Sequence, residues 1–182
     1  MIIFDLDGTL ADCEHRRHFV DPSLHTNYIL QGLDAKGNVI EKAGVYCNII
    51  DGKLFKPNWK AFYEACDRDE PIESVVEISR RVVYSNWEMY GYQVEIWSGR
   101  CESVREKTES WLNKNEIFYK NLKMRPIGDN TPDDKLKEKW LDEAILQGKT
   151  IDFVFDDRPK VIRMWRRRGI FVFNCCQHDE EF

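Results

Sequence analysis

Short apolar runs that each end in a polar cluster, with helical patterns between them, constrain this chain more than any other feature of its 182 residues. Ile2-Ile3-Phe4 ends in Asp5-Leu6-Asp7-Gly8-Thr9, and Tyr92 to Trp97 ends in Ser98-Gly99-Arg100. A short run lies near Leu122 to Met124, Ile151 to Phe155 ends in Asp156-Asp157-Arg158, and Ile170 to Phe173 closes the series. The segments between have helical spacing. About Glu73 to Tyr90 predicts a helix with Val75, Ile78 and Val82 on its buried face and Gly91 as its stop. Ser103 is placed to cap a helix carrying Val104, Trp111 and Leu112. Thr131-Pro132 reads as the N-cap and first position of a helix that buries Leu136, Trp140, Leu141, Ala144 and Ile145. Pro159 opens a last helix with Val161, Ile162 and Trp165 inside and Gly169 as its stop. Near-continuous apolar strands alternating with helices predict an α/β, Rossmann-like fold, a mostly parallel sheet with helices on both faces.

Residues 21–69 break that rhythm. Gly32, Gly37, Gly44 and Gly52 separate apolar pairs such as Val39-Ile40 and Val45-Tyr46, and Trp59-Lys60-Ala61-Phe62-Tyr63 has helical spacing. This predicts an insertion, part hairpin and part helix, within a core made of residues 1–20 and 70–182. A hydrophobic share of 42% suffices for one well-filled core. With 27 basic against 32 acidic residues, the chain is not expected to coat nucleic acid through a broad basic surface, although a local basic cleft is compatible. No apolar run approaches the roughly 20 residues that span a bilayer. The N-terminus lacks the basic flank and cleavage site of a secretion signal. Six cysteines (Cys13, Cys47, Cys66, Cys101, Cys175, Cys176) form no CxxC pair and read as reduced thiols, with a vicinal Cys175–Cys176 disulfide as the alternative. His15, His18, His25 and His178 show no metal spacing. These features lead us to expect a cytoplasmic protein with no membrane partner.

In open parallel sheets, ligands bind outside the carboxyl ends of the strands. Asp5, Asp7, Ser98, Arg100, Asp156 and Asp157 all fall at such ends. Four carboxylates brought into one space cannot all stay ionised without a cation between them, and a few hard oxygen ligands suit magnesium. A carboxylate can also attack phosphorus, leaving its neighbour two residues away to handle protons. Ser98, Arg100 and Lys137 supply donors and positive charge, and Asp133 lies four residues before Lys137 near a helix N-terminus. The parts of metal-assisted phosphoryl transfer are all present.

Asp5-Leu6-Asp7-Gly8-Thr9-Leu10 resembles the first motif of the haloacid dehalogenase (HAD) superfamily of phosphohydrolases. Ser98, Lys137 and the Asp156-Asp157 pair resemble its second, third and fourth motifs, in the same order. Gly91-Tyr92-Gln93-Val94 through Ser103, Asp133-Asp134 with Lys137-Glu138, Asp156-Asp157-Arg158 and Met164-Trp165-Arg166-Arg167 are similar to the phosphatase domain of bacteriophage polynucleotide kinase-phosphatases. The resemblance implies Asp5 as a nucleophile that forms an aspartyl-phosphate, and Asp7 as general acid and base. It implies that Asp5, the backbone carbonyl of Asp7 and Asp156, with Asp157, hold Mg2+. It further implies functions for Arg16, nine residues after Asp7, for Arg100 and for Asp133, with Ser98, Arg100, Lys137 and Arg16 holding the phosphoryl group. The implied substrate is a phosphate monoester on a nucleic-acid 3′ end, and the implied setting is viral, in the host cytoplasm.

Alternatives stand beside this. No GxxxxGKS/T phosphate loop occurs, and residues 21–69 lie where the superfamily inserts a substrate-selecting cap. A 5′-mononucleotide phosphatase is therefore the second reading, and a non-catalytic module that binds phosphorylated ends is the third. Taken singly, Asp5-Leu6-Asp7-Gly8 is a turn signal, Asp156-Asp157 a helix cap, and Asp133 with Lys137 a surface pair. Lys135 or Lys139 could replace Lys137 in another register. The Arg163, Arg166, Arg167, Arg168 cluster most simply complements a helix dipole, with a nucleic-acid role as the second reading. Trp59, Phe62 and Tyr63 read as packing, with base stacking as the minority reading.

Overall fold

A strand covered on both faces needs apolar residues at every position, and the computed structural model shows which segments meet that demand. It describes residues 1–33, 45–86 and 94–176. In chain order the elements are β1 (Ile2–Phe4), β2 (Ala11–Asp12), α1 (Glu14–Arg17), β3 (Tyr28–Leu33), β4 (Val45–Ile50), β5 (Lys53–Leu54), α2 (Trp59–Glu64), β6 (Glu70–Pro71), α3 (Glu73–Asn86), β7 (Val94–Cys101), α4 (Arg105–Lys114), β8 (Asn121–Arg125), α5 (Asp133–Leu146), β9 (Phe153–Asp156), α6 (Pro159–Arg167) and β10 (Val172–Asn174). They fall into two compact units: the described residues of Met1–Cys13 with Asp67–Phe182, and Glu14–Cys66.

The larger unit is built on a five-stranded sheet of order β10-β9-β1-β7-β8, and every pairing in it is parallel. β1 is central, with Ile3 opposite Glu95 on one side and Val154 on the other. The face carrying Ile3, Trp97, Val154 and Val172 packs against Leu136, Trp140, Leu141 and Ala144 of α5 and Val161, Ile162, Met164 and Trp165 of α6. On the other face Phe4 and Phe155 stack with ring centroids 4.4 Å apart. Glu95 is a buried acid among these apolar residues, and its carboxylate accepts from Trp97 Nε1 at 2.9 Å and from Lys149 Nζ at 2.8 Å. The chain runs outward from β1 to β8 and then returns across β1 to β9. That reversal puts the switch point between β1 and β9, where open sheets of this kind form their binding crevice.

The smaller unit holds an antiparallel sheet of order β3-β4-β5 and the helix α2. Asp51 and Gly52, with φ of 49° and 72°, form the two-residue turn between β4 and β5 that such positive angles favour. Asn58 caps α2, accepting from Ala61 N at 3.0 Å.

Several details differ from sequence expectation. The buried face of α3 is centred on Ser79 and carries Val75, Val76 and Val83, whereas Ile78 is 40% exposed. The helix is rotated from the predicted stripe, and Ser79 is tolerated because its Oγ donates to Val76 O at 2.7 Å. A 3₁₀ turn, Glu102–Val104, leads into α4, so Ser103 lies inside that turn and caps nothing. α5 starts one residue later than predicted, with Pro132 at the cap position, and Ile145 is half exposed at its far end. Cys175 and Cys176 are not joined in a vicinal disulfide. The expectations for Gly37, Val39-Ile40, Gly44, Tyr90-Gly91, Tyr92-Gln93 and His178 lie outside the described residues. No helix among the described residues is long and apolar enough to cross a membrane.

Candidate active site

The loop after β1 is set by its backbone. Leu6 O accepts from Thr9, Leu10 and Ala11 N, and Gly8 N donates to Ala11 O at 2.8 Å. Gly8 has φ of 83°, and a Cβ built there would stand 2.1 Å from Asp157 Oδ2. Only glycine meets both demands, the left-handed backbone and the close carboxylate. Gly8→Ala is expected to destabilise the protein by about 1–2 kcal/mol from backbone strain, with displacement of Asp157 added. Urea denaturation measures this, and a variant within about 0.5 kcal/mol of the parent would contradict it.

Asp5 leaves β1 with its backbone N donating to Phe155 O at 2.9 Å, which ties it to the end of β9. Lys137 Nζ reaches both Asp5 Oδ1 and Asp156 Oδ2 at 2.9 Å, and all three side chains are buried. Asp156 also accepts from Trp165 Nε1 at 3.3 Å and Arg158 N at 3.1 Å. Asp157 accepts from Thr9 Oγ1 at 3.2 Å. Asp5, Asp156 and Asp157 offer carboxylate oxygens within 4.8 Å of one another, an arrangement that could hold a metal ion. Burial drives the Asp5 carboxyl well above the usual carboxylate range; Lys137 opposes this, while Asp156, Asp157 and Asp133 add to it. Burial and then Asp156 push Asp157 up to about 6. For Lys137, burial alone would weaken its hold on the proton, but Asp156 and Asp5 outweigh that and raise it. One lysine therefore faces three acids. Such a donor set fits a hard divalent cation, which would relieve the remaining repulsion.

Asp7 sits two residues beyond Asp5 and outside the three-carboxylate cluster. Arg100 donates to Asp7 Oδ1 from Nε at 2.8 Å and from Nη2 at 2.5 Å, and Nη2 also reaches Asp69 Oδ2 at 2.5 Å. Arg100 is fully buried, so it is held as an ion-paired strut. Ser98 Oγ, also buried, accepts from Arg100 N at 3.1 Å. Asp133 is bound by Arg125 Nη2 on one oxygen and Arg158 Nη1 on the other. A Cβ on Gly99 would stand 2.6 Å from Asp133 Oδ1, so the Ser98-Gly99-Arg100 turn lies directly against α5's first residue.

The structure thus gathers Asp5, Lys137, Asp156 and Asp157 into one cluster, with Asp7–Arg100 and Asp133 around it. Lys135 is largely exposed and pairs with Glu138 at 3.2 Å, and Lys139 is exposed, so Lys137 alone of the three lysines reaches the acids. Arg16 belongs to the smaller unit, where its Nη1 donates to Phe62 O at 3.3 Å and its guanidinium stands 4.1 Å over the Phe62 ring. Sequence reasoning assigns no function to Asp69, Arg125 or Arg158. Arg158 had a signal, since it directly follows the Asp156-Asp157 pair; Asp69 and Arg125 had none nearby. Cys175 donates its backbone N–H to Asp156 O at 3.0 Å, but burial and the fields of Asp157, Asp156 and Asp5 push its thiol up to about 12, so it stays protonated.

A family model, the polynucleotide kinase PNKP phosphatase domain, matches residues 45–180. The chain belongs to this family. Its matched span carries Ser98, Arg100, Asp133, Lys137, Asp156 and Asp157, and β1 delivers Asp5 and Asp7 to the same place. A protein of Autographa californica nuclear polyhedrosis virus, named by inference as a bifunctional polynucleotide kinase/RNA ligase, is 32% identical over 140 residues, covering 76% of this chain and 20% of that protein. A chain of the Pnkp1/Rnl/Hen1 complex superposes with a TM-score of 0.65 at 26% identity, covering 98% of this chain and 46% of the other. A haloacid dehalogenase-like hydrolase from Streptococcus pneumoniae shares the fold, with a TM-score of 0.54 at 15% identity over 95% of this chain and 82% of that one. The chain spans less than half the length of the first two relatives. With its parallel sheet and strand-end acids, this PNKP phosphatase domain is an enzyme of the HAD phosphatase type.

Proposed function

We propose that the protein removes a phosphate monoester from a nucleic-acid 3′ end through a covalent intermediate on Asp5. The observation that carries this reading is the buried Asp5 carboxylate at the end of the central strand, bridged to Asp156 by Lys137 at 2.9 Å on each side. Asp5 Oδ forms a bond to phosphorus while the bond from phosphorus to the sugar oxygen breaks, and Asp7 gives a proton to that departing oxygen. Asp7 then accepts a proton from water as the water oxygen attacks phosphorus, which frees Asp5 and releases inorganic phosphate. Arg100 positions Asp7 for both transfers. Lys137 and Ser98 hold phosphoryl oxygens, and Arg16 and Asp133 take their supporting functions from family resemblance. Asp5, Asp156 and Asp157 would hold magnesium, with the backbone carbonyl of Asp7 as a further donor. A bound Mg2+ supplies positive charge against the phosphoryl oxygens. The segment around residues 21–69 serves as a cap that helps select the substrate.

The substrate assignment rests on the family and on a relative named as a polynucleotide kinase/RNA ligase. Phosphate release is to be measured with magnesium on a 3′-phosphorylated oligonucleotide and on 3′- and 5′-mononucleotides. We expect the oligonucleotide to be preferred, chelation to stop the reaction, magnesium to restore it and calcium to restore it poorly, because calcium's looser coordination misplaces the nucleophile. Unchanged release in excess chelator would overturn the chemistry. Preference for 5′-mononucleotides would make the protein a nucleotide phosphatase instead.

A further inference from the structure

The four arginines near the end of α6 separate into different environments. Arg167 donates to Glu138 at 2.9 Å and Arg168 to Asp142 at 2.5 Å, so these two lace α6 to α5. Arg163 does not join them. It lines a cleft of about 550 Å3 together with Arg158, Lys160, Pro132, Asp133 and Asp134. Arg158, Lys160 and Arg163 are exposed, and neither Lys160 nor Arg163 has an ion-pair partner among the described residues. The acids of the cleft do not cancel this charge. Asp133 is taken up by Arg125 and Arg158, which leaves Asp134 against Lys160 and Arg163. The first turn of α6 carries no acidic residue and its cap position makes no side-chain hydrogen bond, so the positive end of the helix adds to the cations.

The cleft is joined to the catalytic cluster. Asp133, which lines the cleft and stands beside the cluster, abuts Gly99 of the Ser98-Gly99-Arg100 turn and binds Arg158 at the cleft wall. Arg158 N also donates to Asp156 Oδ1 at 3.1 Å, so one residue ties the carboxylate cluster to the basic wall. A substrate whose terminal phosphate lies at Asp5 would run its next charged group past Arg158. A mononucleotide has no such group, whereas a polynucleotide strand has a phosphodiester there.

Building on the proposed reaction, we infer that this cleft, with Lys160 and Arg163 as its free cations and Arg158 at its inner edge, binds the phosphodiester adjacent to the terminal phosphate and thereby selects a polynucleotide strand. Exposed Lys and Arg recognise a phosphodiester by charge, independently of base, and their loss lowers the salt dependence of binding.

The test is a Lys160→Ala/Arg163→Ala double variant, with Arg166→Ala as a control that removes an exposed positive charge outside the lining of the cleft. The ratio of kcat/KM for a 3′-phosphorylated oligonucleotide to that for a 3′-mononucleotide should fall at least about tenfold in the double variant, through KM. Arg166→Ala should keep the parent's ratio. In an Asp5→Asn background, fluorescence anisotropy with the same oligonucleotide should show weaker binding, and the slope of log K against log salt should shrink by about 0.7 for each phosphate no longer neutralised. An unchanged ratio with unchanged binding, or an equal fall in Arg166→Ala, would overturn the cleft assignment and leave the proposed reaction standing. Binding that depends on Lys160 and Arg163 in a protein that releases no phosphate from any of these substrates would retain the cleft and overturn the reaction.

Discussion

Asp5→Asn is expected to lower phosphate release by at least about 10⁴-fold while leaving the protein folded and no less stable than the parent. The amide keeps the shape of the carboxyl and can still accept from Lys137, but it cannot form the acyl-phosphate. The stability half of this expectation follows from burial. The Asp5 carboxyl is raised well above its ordinary value, first by burial and then, against Lys137, by Asp156, Asp157 and Asp133. A carboxyl raised in the folded state holds more protons there than in the unfolded chain, so its contribution to stability declines as pH rises from its unfolded value through its folded one. At neutral pH the wild type carries that penalty and the asparagine variant does not. Turnover assays and urea denaturation at neutral pH check both halves. Parent-like turnover would exclude Asp5 as nucleophile, and a variant several kcal/mol less stable would show that the Asp5 charge is needed for folding.

Lys137→Met should have the largest effect on stability of any single change in the site. Its ammonium is the cation shared at 2.9 Å by Asp5 and Asp156, and removing one member of a buried ion cluster leaves buried charge without its counter-ion. Such losses run to about 3–5 kcal/mol. The sign with pH is set by the acids that remain. Without Lys137, nothing opposes the burial and neighbouring acids that raise the Asp5 carboxyl, so Asp5 holds its proton more strongly in the folded state, and the deficit is largest at neutral pH and shrinks as acid protonates it. Urea denaturation at pH 5 and pH 7 would show a larger gap from wild type at pH 7. Equal stability at both pH values would mean that the lysine does not balance these carboxylates.

Much of the site is legible along the chain because its chemistry sits at strand ends. Ile2-Ile3-Phe4 and Phe153-Val154-Phe155 are apolar throughout, as central parallel strands must be, and the acids that follow them fall on the same edge of the sheet. The parallel register of β1 with β9 turns that shared position into the Asp5–Asp156–Asp157 cluster. The span matched by the PNKP phosphatase domain, residues 45–180, contains the later of these acids, Asp156 and Asp157, together with Lys137.

Details that depend on rotation or on distant partners are less legible. α3 has apolar residues at Val75, Val76, Ile78, Val82 and Val83, enough to draw more than one stripe, and only packing selects the face centred on Ser79. Helical periodicity alone has no preference between the two, because a buried serine is costly only until its hydroxyl finds Val76 O.

By itself, the amino-acid sequence determined the order of strands and helices, the acids at the strand ends and the glycine at position 8, since these follow from periodicity and from local backbone demands. Tertiary structure alone decided which charge meets which. With 27 basic and 32 acidic residues, local spacing leaves many pairings open, and Coulomb attraction becomes selective only where burial removes water. Folding resolves that choice at Arg100 with Asp7 and Asp69, at Lys137 between Asp5 and Asp156, and at Asp133 between Arg125 and Arg158. Those pairings leave Lys160 and Arg163 open on the cleft, a distinction that no run of neighbouring residues along the chain contains.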